Sequence, residues 1–121
     1  MERVVIVDAG RTPIGRFLGE FRDLSARDLG VACVQGLLER AGCPPDAVEM
    51  MILGCGRQAG GGPNVARQVL CGAGIPTSSV AHTVNMACGS GLLAIAQVAT
   101  QIQLGEIQVG VAGGTDALQR A

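Results

Sequence analysis

The stretch Thr83-Val84-Asn85-Met86-Ala87-Cys88-Gly89-Ser90-Gly91-Leu92 reads as a strand running into a glycine-flanked cysteine and then into a helix. The strand extends over Val80 to Asn85, and the helix over Gly89 to Leu104, where Leu92, Leu93, Ile95, Ala96, Ala99 and Ile102 recur at helical spacing and Gly105 supplies the stop. The same alternation repeats outward from this segment. Val4 to Val7 is a continuous β-branched run that predicts a strand buried on both faces. Asp8 to Leu24 is a long connection broken by Gly10, Pro13, Gly15 and Gly19. Ser25 and Asp28 have capping-box spacing, and the helix they open carries Leu29, Ala32, Cys33, Gly36, Leu37 and Ala41 up to Gly42, with Pro44-Pro45 barring continuation. Met50 to Leu53 predicts another strand, Asn64 caps a helix from Val65 to Ala73, and Val109 to Ala112 predicts a last strand before Gly113-Gly114. Strands alternating with helices predict an α/β fold with a mainly parallel sheet, helices on both faces and right-handed crossovers. No internal repeat or linker interrupts it, so residues 1–121 read as one domain or part of one.

Composition narrows the function. The chain has 121 residues, 48% of them hydrophobic, which excludes disorder as its general state. Phe17 and Phe21 are the only aromatics, so the core must be aliphatic. All nine basic residues are Arg, against ten acidic ones, and no basic cluster offers a nucleic-acid footprint. No apolar run reaches the roughly 18 residues a membrane helix needs, and Val4 to Val7 is too short for a signal-peptide core. The expectation is a soluble, cytoplasmic protein that binds neither nucleic acid nor membrane.

Five cysteines, Cys33, Cys43, Cys55, Cys71 and Cys88, form no C-x-x-C pair, and His82 is the only histidine. A zinc site and a disulfide framework are both disfavoured, so no metal is expected and most of the thiols are expected to be small buried apolar groups. Cys88 is placed differently. At the first turn of a helix, unpaired N–H groups and the helix dipole favour an anionic sulfur. Gly89 and Gly91 clear side chains from around it, as in the strand-to-helix nucleophile elbow where a serine takes this turn. The same pattern suits a buried cysteine with glycines for close packing, and spacing alone leaves both readings open.

Four ordered motifs add a resemblance to a known family. Asn85-Met86-Ala87-Cys88-Gly89-Ser90-Gly91-Leu92 resembles the N-K-V-C-G-S-G-L signature around the acyl-accepting cysteine of thiolases. Arg11-Thr12-Pro13-Ile14-Gly15-Arg16-Phe17 is similar to that family's R-T-P-x-G-x-F loop. Gln58-Ala59-Gly60 with Asn64-Val65-Ala66-Arg67-Gln68 is similar to its Q-A-G-x-G-Q-N-x-A-R-Q segment, and Leu104-Gly105-Glu106 with Val111-Ala112-Gly113-Gly114 to its L-G-E…V-A-G-G turn and strand. Pro63, Val65 and Thr115-Asp116-Ala117-Leu118 depart from the pattern, which bears on the subfamily and not on the fold.

The resemblance implies a thiolase-like layered fold, of which residues 1–121 would be an incomplete N-terminal domain, without the loop region and the C-terminal domain. It implies that Cys88 takes an acyl group from acyl-CoA, with its backbone N–H contributing to an oxyanion hole. A deprotonated acetyl-CoA would then attack the acyl-enzyme, giving Claisen condensation, or thiolysis in reverse. It implies coenzyme A thioesters as substrates, no further cofactor, and a homodimer or homotetramer. The family's catalytic histidines, its Asn/His pair and its second cysteine belong to the C-terminal half, so the chain alone is expected to be inactive. The alternative is a non-catalytic thiolase-like module, or one half of a split or heteromeric acyltransferase.

Other candidates fare less well. His82 on an extended strand faces away from Thr83 and Asn85 and is expected to pack or face solvent. Ser90 is expected to be a helix-start polar residue, and Cys88-Gly89-Ser90 lacks the second cysteine and aromatic of papain-type proteases. Gly54-Cys55-Gly56-Arg57-Gln58-Ala59 fits G-x-G-x-x-A but leads into Gly60-Gly61-Gly62-Pro63, not a helix, so a dinucleotide site is disfavoured. By the resemblance, Arg67 and Gln68 would anchor a subunit interface, while Arg67 equally suits an exposed helix position.

Overall fold

The computed structural model describes residues 3–120. Its regular elements are α1 (Ala26–Ala41), β1 (Met50–Gly54), α2 (Val65–Gly72), β2 (Val80–Val84), α3 (Ser90–Gln103) and β3 (Gly110–Gly114), with short 3-10 turns at Pro45–Ala47 and Leu118–Arg120. The three strands form one parallel sheet in the order β2-β1-β3. Met50 pairs with both Val80 and Gly110, and Gly54 with Val84 and Gly114, so all three carboxyl ends lie level at one edge. The connection β1-α2-β2 runs one way across the sheet, and β2-α3-β3 runs back over β1. Their helices lie on opposite faces, so the two crossovers share one hand, as the right-handed rule for parallel strands requires.

The side chains of β1 explain its central place. Met51 and Leu53 point into a cluster with Val34 and Leu38 of α1 and Val65, Ala66, Val69 and Leu70 of α2. Ile52 points the other way, into Ala94 and Val98 of α3 and Ile107. A strand covered on both faces must be apolar at every position, and each fully buried aliphatic side chain contributes about 1.5–3 kcal/mol. The α/β class, the parallel sheet and the helices on both faces are as the sequence predicts.

The helix ends follow their local chemistry. Ser25 Oγ accepts the Asp28 N–H at 3.1 Å while Asp28 Oδ2 accepts the Ser25 N–H at 2.9 Å, the reciprocal capping box. Gly42 ends α1 at φ 66°, a left-handed conformation that favours glycine. Asn64 caps α2 through its side chain, which accepts the Arg67 N–H.

One predicted element does not form. Val4 to Val7 joins no ladder, and Val5, Ile6 and Val7 are 68%, 76% and 83% exposed. A doubly buried strand needs a neighbour at its edge and cover on both faces. The described residues close their sheet with β2, β1 and β3 alone and leave this run outside it. The order is therefore helix, strand, helix, strand, helix, strand. The segment that follows is held to α1 where Arg40 grips Asp8 through Nε–Oδ2 at 3.1 Å and Nη2–Oδ1 at 2.9 Å, and where the Cys33 thiol donates to the Gly10 carbonyl at 3.6 Å.

Candidate active site at the β2-to-α3 turn

β2 ends at Val84 and hands the chain to the turn that carries Cys88. Met86 N–H donates to Ser90 Oγ at 2.8 Å, and Ser90 Oγ donates to the Ala87 carbonyl at 2.6 Å. Ala87 N–H donates to Asn85 Oδ1 at 3.0 Å. These bonds hold Ala87 at φ 47°, in the left-handed region that costs a residue with a Cβ about 1–2 kcal/mol. The Cys88 thiol is exposed, and no side chain caps the amino end of α3 at Gly89.

The turn is fastened to its neighbours. Asn85 Nδ2 donates to the Gly56 carbonyl at 3.2 Å, joining the turn to the loop after β1. That loop is joined to the end of β3, because Asp116 accepts the Arg57 N–H at 2.9 Å and the Gly56 N–H at 3.4 Å. Gly54 lets β1 and α3 touch, since a Cβ there would stand 2.5 Å from the Ser90 backbone. Three strand ends thus converge on one polar seam, joined to the turn that carries the exposed Cys88 thiol.

The other candidates divide as follows. Ser90 is buried at 4% exposure with its hydroxyl committed to the turn, as expected of a helix-start polar residue. His82 is exposed, with its ring Nε2 3.3 Å from Gln97 Oε1 on α3, while the adjacent Thr83 faces Asn64 and Ala66 on the other side of the sheet. Its expected surface role holds. Residues 55–64 form loop and turns, and α2 starts only at Val65, so the G-x-G-x-x-A match lacks its helix. Arg67 donates to the carbonyls of Ser79 at 2.9 Å and Thr77 at 3.0 Å, and Gln68 to those of Gly61 and Pro63. Both therefore tie loops of their own chain.

The cysteines depart from expectation. Only Cys55 is buried; Cys33 and Cys43 are half-buried and Cys71 is exposed. Cys71 lies near the end of a helix of only eight residues, outside its buried set of Val65, Ala66, Val69 and Leu70. Burial, followed by the nearby Asp116 carboxylate, pushes the Cys55 thiol up to about 11. Its Sγ lies 3.4 Å from Asp116 Oδ1. A cleft of about 410 Å³ opens between the Gly10–Phe17 loop, α1 and β3, and Cys88 does not line it. Asn85 and Asp116 make the bonds that fasten the turn to its neighbours, and sequence reasoning did not single them out. Asn85 stood inside the quoted signature, and Asp116 inside a departure from the family pattern.

A parallel α/β sheet with an exposed cysteine at a strand-to-helix turn is a framework for nucleophilic chemistry at the carboxyl edge of the sheet. The sequence pattern of the family described as "Thiolase, N-terminal domain" matches residues 4–121, and the chain belongs to the thiolase family. It is 43% identical over 121 residues to an acetyl-CoA acetyltransferase of Paracoccus denitrificans, covering 100% of this chain and 31% of that protein. It is 46% identical to a probable acetyl-CoA acetyltransferase of Escherichia coli, with the same coverage. The fold superposes on a thiolase of Ascaris suum, solved in complex with coenzyme A, with a TM-score of 0.90 at 38% identity, over 92% of this chain and 29% of that one. The chain thus spans about a third of the length of these relatives.

Proposed function

We propose that Cys88 is the acyl-accepting nucleophile of a thiolase-type acyltransferase acting on coenzyme A thioesters. The observation that carries this reading is the exposed Cys88 thiol in the pinned turn before α3, within the segment that resembles the family signature. The names of the relatives and the coenzyme A bound to the Ascaris suum thiolase support the substrate class.

The Cys88 sulfur attacks the thioester carbonyl carbon of an acyl-CoA, and the carbonyl electron pair moves onto oxygen beside the Cys88 backbone N–H. Collapse of this intermediate expels the coenzyme A thiolate and leaves the acyl group on Cys88. A second acetyl-CoA gives a methyl proton to a base that residues 1–121 do not supply, and the resulting carbanion attacks the acyl carbonyl. A carbon–carbon bond forms, the Cys88 sulfur leaves with its electron pair, and a 3-ketoacyl-CoA departs. Thiolysis runs the same steps backwards. His82, set on β2 against Gln97, is given no part in the proton transfers. The remaining catalytic groups belong to the region of the relatives that this chain does not cover, so the site of residues 1–121 is incomplete. The same reading includes a homodimer or homotetramer.

Iodoacetamide labelling at fixed pH, resolved by peptide mass mapping, tests the nucleophile. Cys88 is expected to react far faster than the other four thiols, and equal rates for Cys88 and the exposed Cys71 would overturn the reading. A thiolysis assay on the 121-residue chain is expected to show no turnover. Sustained turnover would overturn the incompleteness.

A further inference from the structure

We propose that Asp116 is a positioning residue for Cys88, acting through the Gly56 carbonyl and the Asn85 amide. The inference rests on the reading of Cys88 as acyl acceptor and adds the group that aims it.

The connection runs bond by bond. Asp116 follows β3, and its two carboxylate oxygens take the Arg57 N–H at 2.9 Å and the Gly56 N–H at 3.4 Å. With the Arg57 N–H so held, the Gly56–Arg57 peptide is fixed in plane and presents the Gly56 carbonyl to Asn85 Nδ2 at 3.2 Å. That bond sets the Asn85 amide, whose Oδ1 then faces the Ala87 N–H at 3.0 Å. Ala87, next to Cys88, is at φ 47°, a conformation that persists only where its surroundings over-determine it. A carboxylate anchors a loop, the loop sets an amide, and the amide sets the peptide that points the sulfur. Asn85 and Asp116 are both exposed, outside the two apolar clusters. Asp116 also lies 3.4 Å from the Cys55 sulfur, so the protection of that buried thiol in the same sample separates an effect on Cys88 from unfolding.

The experiment measures iodoacetamide alkylation of the 121-residue chain, reading Cys88 and Cys71 in the same sample. Loss of one positioning hydrogen bond corresponds to a slowing of Cys88 by roughly five- to tenfold in Asp116→Ala and in Asn85→Ala, with Cys71 changed by less than about twofold. The double variant is expected to be no slower than either single one, because both act in one line. Asp116→Glu keeps two acceptor oxygens and is expected to bring Cys88 back to within about twofold of the unaltered chain. Should Asp116→Ala lose the protection of the buried Cys55, Asp116→Asn takes its place and must still slow Cys88 by about twofold or more. A fast Cys88 that Asp116 substitution leaves unmoved overturns this inference alone, as does a double variant whose effect is the product of the singles. A Cys88 no faster than Cys71 in the unaltered chain overturns the acyl-acceptor reading and this inference with it.

Discussion

Ser90 Oγ accepts the backbone N–H of Met86 at 2.8 Å, so the first residue of α3 holds the chain that leads into it. The hydroxyl also donates to the Ala87 carbonyl at 2.6 Å, and the residue is 4% exposed. Ser90→Ala leaves both backbone groups without these partners and is expected to cost about 1–3 kcal/mol. Urea denaturation checks this: the midpoint should fall with the slope unchanged. An unmoved midpoint would show that water replaces the hydroxyl freely.

Gly54→Ala is expected to be worse. The added Cβ would stand 2.5 Å from the Ser90 carbonyl carbon and Cβ and 2.8 Å from the Gly91 nitrogen, atoms that cannot swing aside like a flexible side chain. The amino end of α3 must shift, at a cost of about 1–3 kcal/mol or more. Because Cys88 precedes that end, its alkylation rate should change in the same variant. Wild-type stability together with a wild-type Cys88 rate would contradict the close approach.

The Cys55 thiol is held up to about 11, first by burial and then by the Asp116 carboxylate. An unfolded cysteine titrates near ~8.5, so the folded chain keeps this proton while the unfolded chain loses it. The resulting contribution to stability is complete below the unfolded value and fades as pH rises toward about 11. Denaturation midpoints measured through the alkaline range should fall less steeply in Cys55→Ala. Identical slopes in the two chains would refute the assignment.

Arg40, through its hydrogen bonds and its charge, and the Ala9 N–H keep the Asp8 carboxyl below its ordinary value. A lowered carboxylate stabilises the fold above its unfolded pKa, and the contribution is lost as pH falls through the folded value. Carboxyl NMR titration should place Asp8 below a typical aspartate, and Arg40→Ala should raise it. Added salt should narrow the difference, because the pair is open to solvent. An Asp8 midpoint indifferent to Arg40→Ala would show that the fork does not persist in solution.

Much of this architecture is written in local chemistry. The capping box at Ser25 and Asp28, the Gly42 stop and the strand-turn-helix around Cys88 were legible because each is decided within a few residues. Val4 to Val7 was misread because burial of a strand depends on partners elsewhere, which an apolar run alone cannot supply. The thiols at Cys33 and Cys71 misled for a similar reason, since a helical position does not say which way it faces the core. The strand-to-helix turn that carries Cys88 could be read from its motif, but the bonds that fasten it could not. Asp116 meets Arg57 only because β1 and β3 are parallel neighbours in level register, a relation between distant segments.

The common direction of the three strands gives the molecule two unlike ends. The loop after Gly54, the Cys88 turn and Asp116 all gather where the strands finish. α3 carries the chain back to the opposite end, where Leu104, Gly105 and Glu106 form an exposed turn before β3 begins. A fluorophore or affinity tag inserted at Gly105-Glu106 would therefore report on the domain from the far side of its core, leaving the cysteine and the seam beneath it untouched.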